Sequence, residues 1–180
     1  MADRSLPGAV TTRRLCLDAL WAEDVDALHE LGRDTDVARM LASVKPGWSR
    51  EDAQAWLAPR IGMSSNGFSR AIRLKDGPLI GSVGAGGDPV DLGYFIGKAY
   101  WRQGYASEAL EAFLPLFFEA FPSLQDMRAE VFEDNPVSAH VLMKLGFQKV
   151  GPGSCQSVAR LEPSPNWLYR LERSQVKVTT

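Results

Sequence analysis

A chain of 180 residues with 45% hydrophobic and 23% charged side chains has the size and proportions of one globular domain, which excludes a second independent core and wholesale disorder. Twenty basic against twenty-two acidic residues give a net charge of -2, so neither nucleic acid nor an anionic membrane is expected as a partner. Two cysteines, Cys16 and Cys155, and two histidines, His29 and His140, have neither disulfide-scaffold density nor metal-ligand spacing, and no metal site is expected.

Residues 1–10 are expected to be flexible; with Asp3, Arg4 and Pro7 they lack the apolar region of a signal peptide, and a cytoplasmic location is expected. Arg14 to Leu17 reads as a short strand. Trp21, Val25 and Leu28, extended by Leu31, fall on one face of a helix that Gly32 would stop. Asp36 to Leu41 suggests a further helical turn or two, and Ser49 followed by Asp52 makes a capping-box start for a helix from Arg50 to Leu57. Phe68 to Leu74, Leu79 to Ala85 and Val90 to Ile96 then read as strands of an antiparallel meander, joined by turn-forming runs rich in Gly, Asp and Pro. Ser107 to Phe121 carries Ala109, Leu110, Phe113, Leu114, Phe117 and Phe118 on a broad apolar face, while Pro115 predicts a kink or an early end. Met127 to Phe132 is a strand, Pro136 to Leu145 a helix stopped by Gly146, and Phe147 to Val150 and Trp167 to Leu171 are strands. The order describes an α+β (mixed α/β) domain over residues 1–180, with helices on a largely antiparallel, twisted sheet.

Two segments carry chemistry. Gly97 to Ala106 leads from a strand into the long helix, where backbone N–H groups converge at a helix start; Gly104 allows close backbone approach and Arg102 can add a charge-assisted contact. Such a turn can hold a diphosphate or be an ordinary strand-to-helix corner. Asn135 to Phe147 begins just after a strand and sets Asn135 and Ser138 three residues apart at a helix start. Together with Thr12 to Leu17 and the Leu92 to Gly97 strand, these blocks resemble the GNAT acetyl-CoA-dependent N-acetyltransferases, in particular the branch of the ribosomal-protein-alanine N-acetyltransferases.

The resemblance implies strands splayed around acetyl-CoA and a diphosphate loop of pattern Gln/Arg-x-x-Gly-x-Gly/Ala, with Trp101, Gly104 and Ala106 in its named slots and Arg102 where the branch commonly has Gly. Arg102, Gln103, Gly104, Tyr105, Ala106 and Ser107 would then hold the diphosphate, Phe95 and Ile96 would offer main-chain groups to the pantetheine arm, Asn135 would bond the arm from the other side, and Ser138 would reach the sulfur. Aminolysis of a thioester needs a neutral amine, so a carboxylate acting through water must take a proton from an ammonium of pKa about 8 to 10.4. Asp91 is the first candidate, because the branch often has an acid there, and Glu130 is the second; Glu130 alternates with Arg128 and Phe132 and can equally sit on a solvated face. Ser138 would assist the departing thiolate or simply cap the helix after Asn135. Tyr94, Tyr100 and Trp101 are read as packing residues.

A nicotinamide enzyme is disfavoured because Gly81 to Gly86 leads into another strand and not a helix, and no nucleophile elbow is present. The alternative to transfer is a non-catalytic acyl-CoA-binding or sensor protein of the same fold. The acceptor stays open between a protein N-terminus, an amino acid, a polyamine and an aminoglycoside; Asp88, Asp91, Glu130, Glu133 and Asp134 would suit a cation, and Arg33 to Gly47 and Gly62 to Gly67 are expected to shape its entrance. A homodimer through the late strands, or through the segment around Trp167 and Tyr169, is compatible with the sequence.

Overall fold

The computed structural model describes residues 6–160 and 162–176. A sheet of nine strands crosses the molecule in the order β1-β2-β4-β5-β6-β7-β9-β8, with β3 added to β4. In chain order the strands are β1 (Val10–Thr11), β2 (Leu15–Asp18), β3 (Met63–Ser64), β4 (Gly67–Leu74), β5 (Leu79–Gly86), β6 (Asp91–Ile96), β7 (Asp126–Phe132), β8 (Gln148–Cys155) and β9 (Ser164–Glu172). All pairings are antiparallel except that of β6 with β7.

Alternation along each strand sends apolar side chains to both faces, and each face is covered by helices. Helices α1 (Val25–Gly32), α2 (Thr35–Ala38) and α3 (Arg50–Leu57) close one side, burying Leu28, Val37, Trp48 and Leu57 against Ala71, Leu79 and Phe95. Helices α4 (Tyr105–Ala120) and α5 (Pro136–Lys144) close the other, burying Phe113, Phe117 and Leu142 against Leu17, Phe68, Ile80 and Met127. The capping box expected at α3 is present in both directions, Asp52 N–H to Ser49 Oγ at 3.2 Å and Ser49 N–H to the Asp52 carboxylate at 2.7 Å.

Three readings of the sequence need correction. Pro115 does not end α4, which runs on to Ala120: the carbonyl that loses its partner belongs to the exposed Glu111, and burial of Phe113, Leu114, Phe117 and Phe118 on either side outweighs the roughly 3 kcal/mol that an interior proline costs. Trp21 lies before α1, in the approach to a short 3-10 turn (Ala22–Asp24), and is 57% exposed, so its spacing with Val25 and Leu28 is accidental. Residues 1–5 of the expected flexible start lie outside the described residues, whereas Leu6 packs on the core, Arg70 donates to the carbonyls of Pro7 and Gly8, and Val10 pairs with Leu17.

Candidate active site

The parallel contact between β6 and β7 lasts only for Asp91 opposite Arg128 and Leu92 opposite Ala129. Beyond it the strands part. The antiparallel partnership of β6 with β5 continues to the end, Gly97 N–H reaching Ile80 O at 2.8 Å. Since main-chain groups alternate sides along an antiparallel strand, Asp91, Gly93 and Phe95 spend theirs on β5, while Leu92, Tyr94 and Ile96 turn theirs toward β7. Among the described residues no strand pairs with that side past Leu92, so an extended ligand can complete it. Phe95 thus turns its main chain to β5, whereas Tyr94 and Ile96 turn theirs to the open side, where the Ile96 carbonyl accepts from the Trp101 indole at 2.6 Å. Trp101 is thus a brace for the loop start.

The opening leads to the start of α4. Gly104 is the N-cap at φ 80°, a conformation that favours glycine, and the cap makes no side-chain hydrogen bond, which leaves the first amides of the helix, at Tyr105, Ala106 and Ser107, directed outward. Arg102 is also left-handed, at φ 61°, which explains in physical terms why glycine would be expected in that slot. The loop is held from the turn before β2: Arg14 donates through Nη1 to Gln103 O at 2.8 Å and through Nε to Glu108 at 2.7 Å, and its guanidinium lies 4.4 Å from the Tyr105 ring centre. Burial alone would raise the Glu108 carboxyl, but bonds from the Thr12 hydroxyl and from Arg14 outweigh it and hold the group below its ordinary value. A corner with outward amides, a Cβ-free cap and Arg102 suits a diphosphate.

Across the opening stands α5. Asn135 caps it, its Oδ1 accepting from Ser138 N–H at 3.1 Å. The Ser138 hydroxyl lies 2.6 Å from the hydroxyl of Tyr94, a contact that joins α5 to the free edge of β6. Desolvation pushes the Tyr94 phenol up to about 12, with the Ser138 bond pulling slightly the other way, so it stays protonated at neutral pH. No local pattern announces this pair, whose members stand 44 positions apart in the chain.

On the α1–α3 face, β6 forms the floor of a cleft of about 640 Å³ together with β4 and β5. The floor is shallow because its residues are small: Gly84 lies between Ser69 and Gly93, and Gly86 lies opposite Asp91. Trp56, Arg60 and Met63 stand around it, and Asp91 lines it. Arg128 grips the Asp91 carboxylate through two bonds, of 3.0 and 3.1 Å. Glu130 does not line this cleft; it is exposed and accepts from Asn166 Nδ2 at 2.6 Å. Asp134, which sequence clustering grouped with it, is paired with Arg39 and Arg160. The Arg33 to Gly47 segment does reach the site: Leu41 and Ser43 line the cleft, and Ser157 Oγ and Val158 N–H tie the β8–β9 connection to the carbonyls of Leu41 and Ala42.

A family model described as the acetyltransferase (GNAT) domain matches residues 14–148, three quarters of the molecule. The chain belongs to the GNAT family. As a GNAT protein it is an acyltransferase, and its sequence is 28% identical over 149 residues to p20, an uncharacterised N-acetyltransferase of Bacillus licheniformis, covering 78% of this chain and 82% of the relative. The fold is shared with a GNAT acetyltransferase of Bacillus anthracis (TM-score 0.77, 22% identity, 92% and 99% of the two chains). It is shared too with the spermidine N-acetyltransferase of Vibrio cholerae in complex with CoA and spermine (TM-score 0.77, 16% identity, 92% and 99%). RimJ of Mycobacterium smegmatis in complex with CoA-disulfide has the same GNAT architecture (TM-score 0.74, 17% identity, 95% and 90%). Among the described residues no helix is long and apolar enough to cross a membrane.

Proposed function

We propose that this GNAT protein transfers the acetyl group of acetyl-CoA to a primary amine by direct attack within a ternary complex. One observation carries the reading: the edge of β6 is released from β7 after Leu92, and the chain leads on from that edge to a helix start at Gly104 that no side chain caps. The amides of Gly104 to Ser107, with Arg102 and Gln103 beside them, would hold the diphosphate, and the N–H of Ile96 and the main chain of Tyr94 would receive the pantetheine arm as an added strand. Asn135 keeps its Nδ2 for the arm, since capping uses only Oδ1.

The acetyl carbonyl would then lie over the floor of the cleft, which is where an amine can approach it. Asp91 is the acid best placed to take the amine proton through water, being a cleft-lining carboxylate with its orientation fixed by Arg128. Charge developing on the carbonyl oxygen would be met by an outward N–H of β6. Bond formation from nitrogen to the acyl carbon expels the thiolate; the amine loses one proton and the sulfur gains one. A phenol near 12 is a weaker acid than a thiol of about 8.5, so Tyr94 and Ser138 would steady the departing sulfur by hydrogen bonding and pass a proton only as part of a relay.

The test is thiol release from acetyl-CoA with a panel of amines, alongside the structure of the CoA complex. Release that depends on an amine, with the diphosphate at Gly104, is the expected result. Tight binding without release for any acceptor would favour the non-catalytic protein instead.

A further inference from the structure

The cleft carries a charge that the transfer chemistry does not use. Among the described residues, its charged lining groups are Asp91 and Arg60. Asp91 is matched from outside the cleft by Arg128. Arg60 has no such match: its contacts are one bond from Nη1 to the Trp56 carbonyl at 2.6 Å and the face of the Trp56 ring, 3.9 Å from its guanidinium carbon. Arg14, Arg39, Arg73, Arg128 and Arg160 each hold a carboxylate, and Arg173, which does not, donates to three main-chain carbonyls.

The position of Arg60 is fixed by its support. Trp56 packs edge-on against Trp48 and Phe95, with ring centres 6.0 and 5.9 Å away, and its indole N–H bonds Ser43 Oγ at 3.0 Å. The guanidinium therefore rests on an immobilised platform with one donor used of five. Burial lowers its pKa, yet arginine stays charged at neutral pH. A partly desolvated cation without a counter-ion is unfavourable, and an anion arriving with the substrate removes that cost.

We infer that the acceptor is an amine that also bears an oxyanion, a carboxylate or a phosphate, and that Arg60 receives this group while the amine lies over Gly93. This rests on the transferase reading above. It separates this chain from an enzyme for polycations, because a polyamine spanning the cleft would set an ammonium beside the guanidinium.

The experiment measures binding of shape-matched amines to the whole protein saturated with CoA, by calorimetry, and thiol release from acetyl-CoA with the same compounds. The pairs are the common L-amino acids against their amides and phosphoethanolamine against ethanolamine, with spermidine as the polycation. At least one oxyanion-bearing member is expected to bind tenfold or more tightly than its uncharged partner, and the two pair types tell carboxylate from phosphate. Arg60→Gln should bring that ratio toward one and Arg60→Lys should keep part of it, with thermal unfolding confirming that both variants are folded. Preference for spermidine, no preference within any pair, or a ratio unmoved by Arg60→Gln overturns the inference. Oxyanion-dependent binding without thiol release would instead remove the transferase reading and leave the anion subsite standing.

Discussion

The hydroxyls of Tyr94 and Ser138 meet at 2.6 Å across the gap where β6 and β7 have separated. Tyr94→Phe removes the phenol without changing the packed ring and is expected to lower kcat by tenfold or more while leaving acetyl-CoA affinity within a few-fold. Ser138→Ala should act in the same direction, and the double variant should cost less than the product of the single effects, because the two hydroxyls act as a unit. The phenol also leaves a signature in stability. Its folded pKa of about 12 exceeds the unfolded value near 10, so stability from this group is full below pH 10 and declines as the pH rises through 12, by up to about 1.4 kcal/mol per unit. Denaturant unfolding of the wild type and of Tyr94→Phe at pH 9 and 11 checks this: the gap between them should narrow at the higher pH.

Asp91 and Arg128 form an exposed pair, worth at most about 1 kcal/mol to folding, so replacement of either should barely move the unfolding midpoint. Function should separate them. Asp91→Asn deletes the proton acceptor and is expected to reduce turnover about 100-fold, with acetyl-CoA binding near normal. Arg128→Met keeps the carboxylate and loses only its clamp, so its effect should be smaller. A pH–rate profile of Asp91→Asn that superimposes on the wild type would remove Asp91 from the mechanism.

Glu108 is the peg that holds the turn before β2 to the start of α4, through the Thr12 hydroxyl at 2.6 Å and Arg14 Nε at 2.7 Å. Its carboxyl is depressed on folding, so its contribution is present above the ordinary carboxylate pKa near 4.5 and is lost as the pH falls through the lower folded value. Glu108→Gln should therefore be less stable than wild type at pH 7, with the difference shrinking toward pH 3. Because Arg14 also holds Gln103 O, the same variant should weaken acetyl-CoA binding, measurable by calorimetry.

Local chemistry was readable in the chain where both partners sit within a few residues. The Ser49 and Asp52 box and the three-strand meander are of this kind, each a short-range pattern with one stable geometry. Pro115 misleads because its penalty is local, whereas part of the compensating burial comes from Phe68 and Phe121, which lie outside the helix. The helix start after Gly104 is marked by a local pattern, but the left-handed Arg102 beside it and the brace from Arg14 depend on tertiary neighbours. What the sequence left hidden lies between strands: the Tyr94 and Ser138 contact, the turning of Phe95 away from the gap, and the unpaired Arg60 are set by where β6 and β7 part and by how α3 meets the sheet.

Two positions of the α4 loop test the diphosphate assignment from opposite directions. Gly104→Val places a β-branched residue at φ 80°, which is strained whatever space surrounds it, and should raise the Kd for acetyl-CoA at least tenfold and lower stability by roughly 1–2 kcal/mol. Arg102→Gly relieves a strain of about 1 kcal/mol but adds a similar entropy to the unfolded chain, so stability should change by less than about 1 kcal/mol. Any loss of acetyl-CoA affinity in Arg102→Gly then reports the guanidinium contact itself. Unaltered Kd in Gly104→Val would place the diphosphate elsewhere.

A substitution at Gly93 distinguishes acceptor binding from cofactor binding. Gly93 belongs to the cleft floor, and a Cβ built on it meets nothing within 4 Å, so a side chain there would fill the space proposed for the acceptor without disturbing packed atoms. Its main-chain groups are already bonded to β5, and a β-branched residue suits a strand. Gly93→Val should consequently fold at least as stably as the wild type and bind acetyl-CoA with similar affinity, while the KM for the amine rises tenfold or more. Kinetics with the acceptor varied at saturating acetyl-CoA make the comparison. An unchanged KM would mean that the amine reaches the thioester from the far side of β6, along α5, and the cleft would lose its role as the acceptor site.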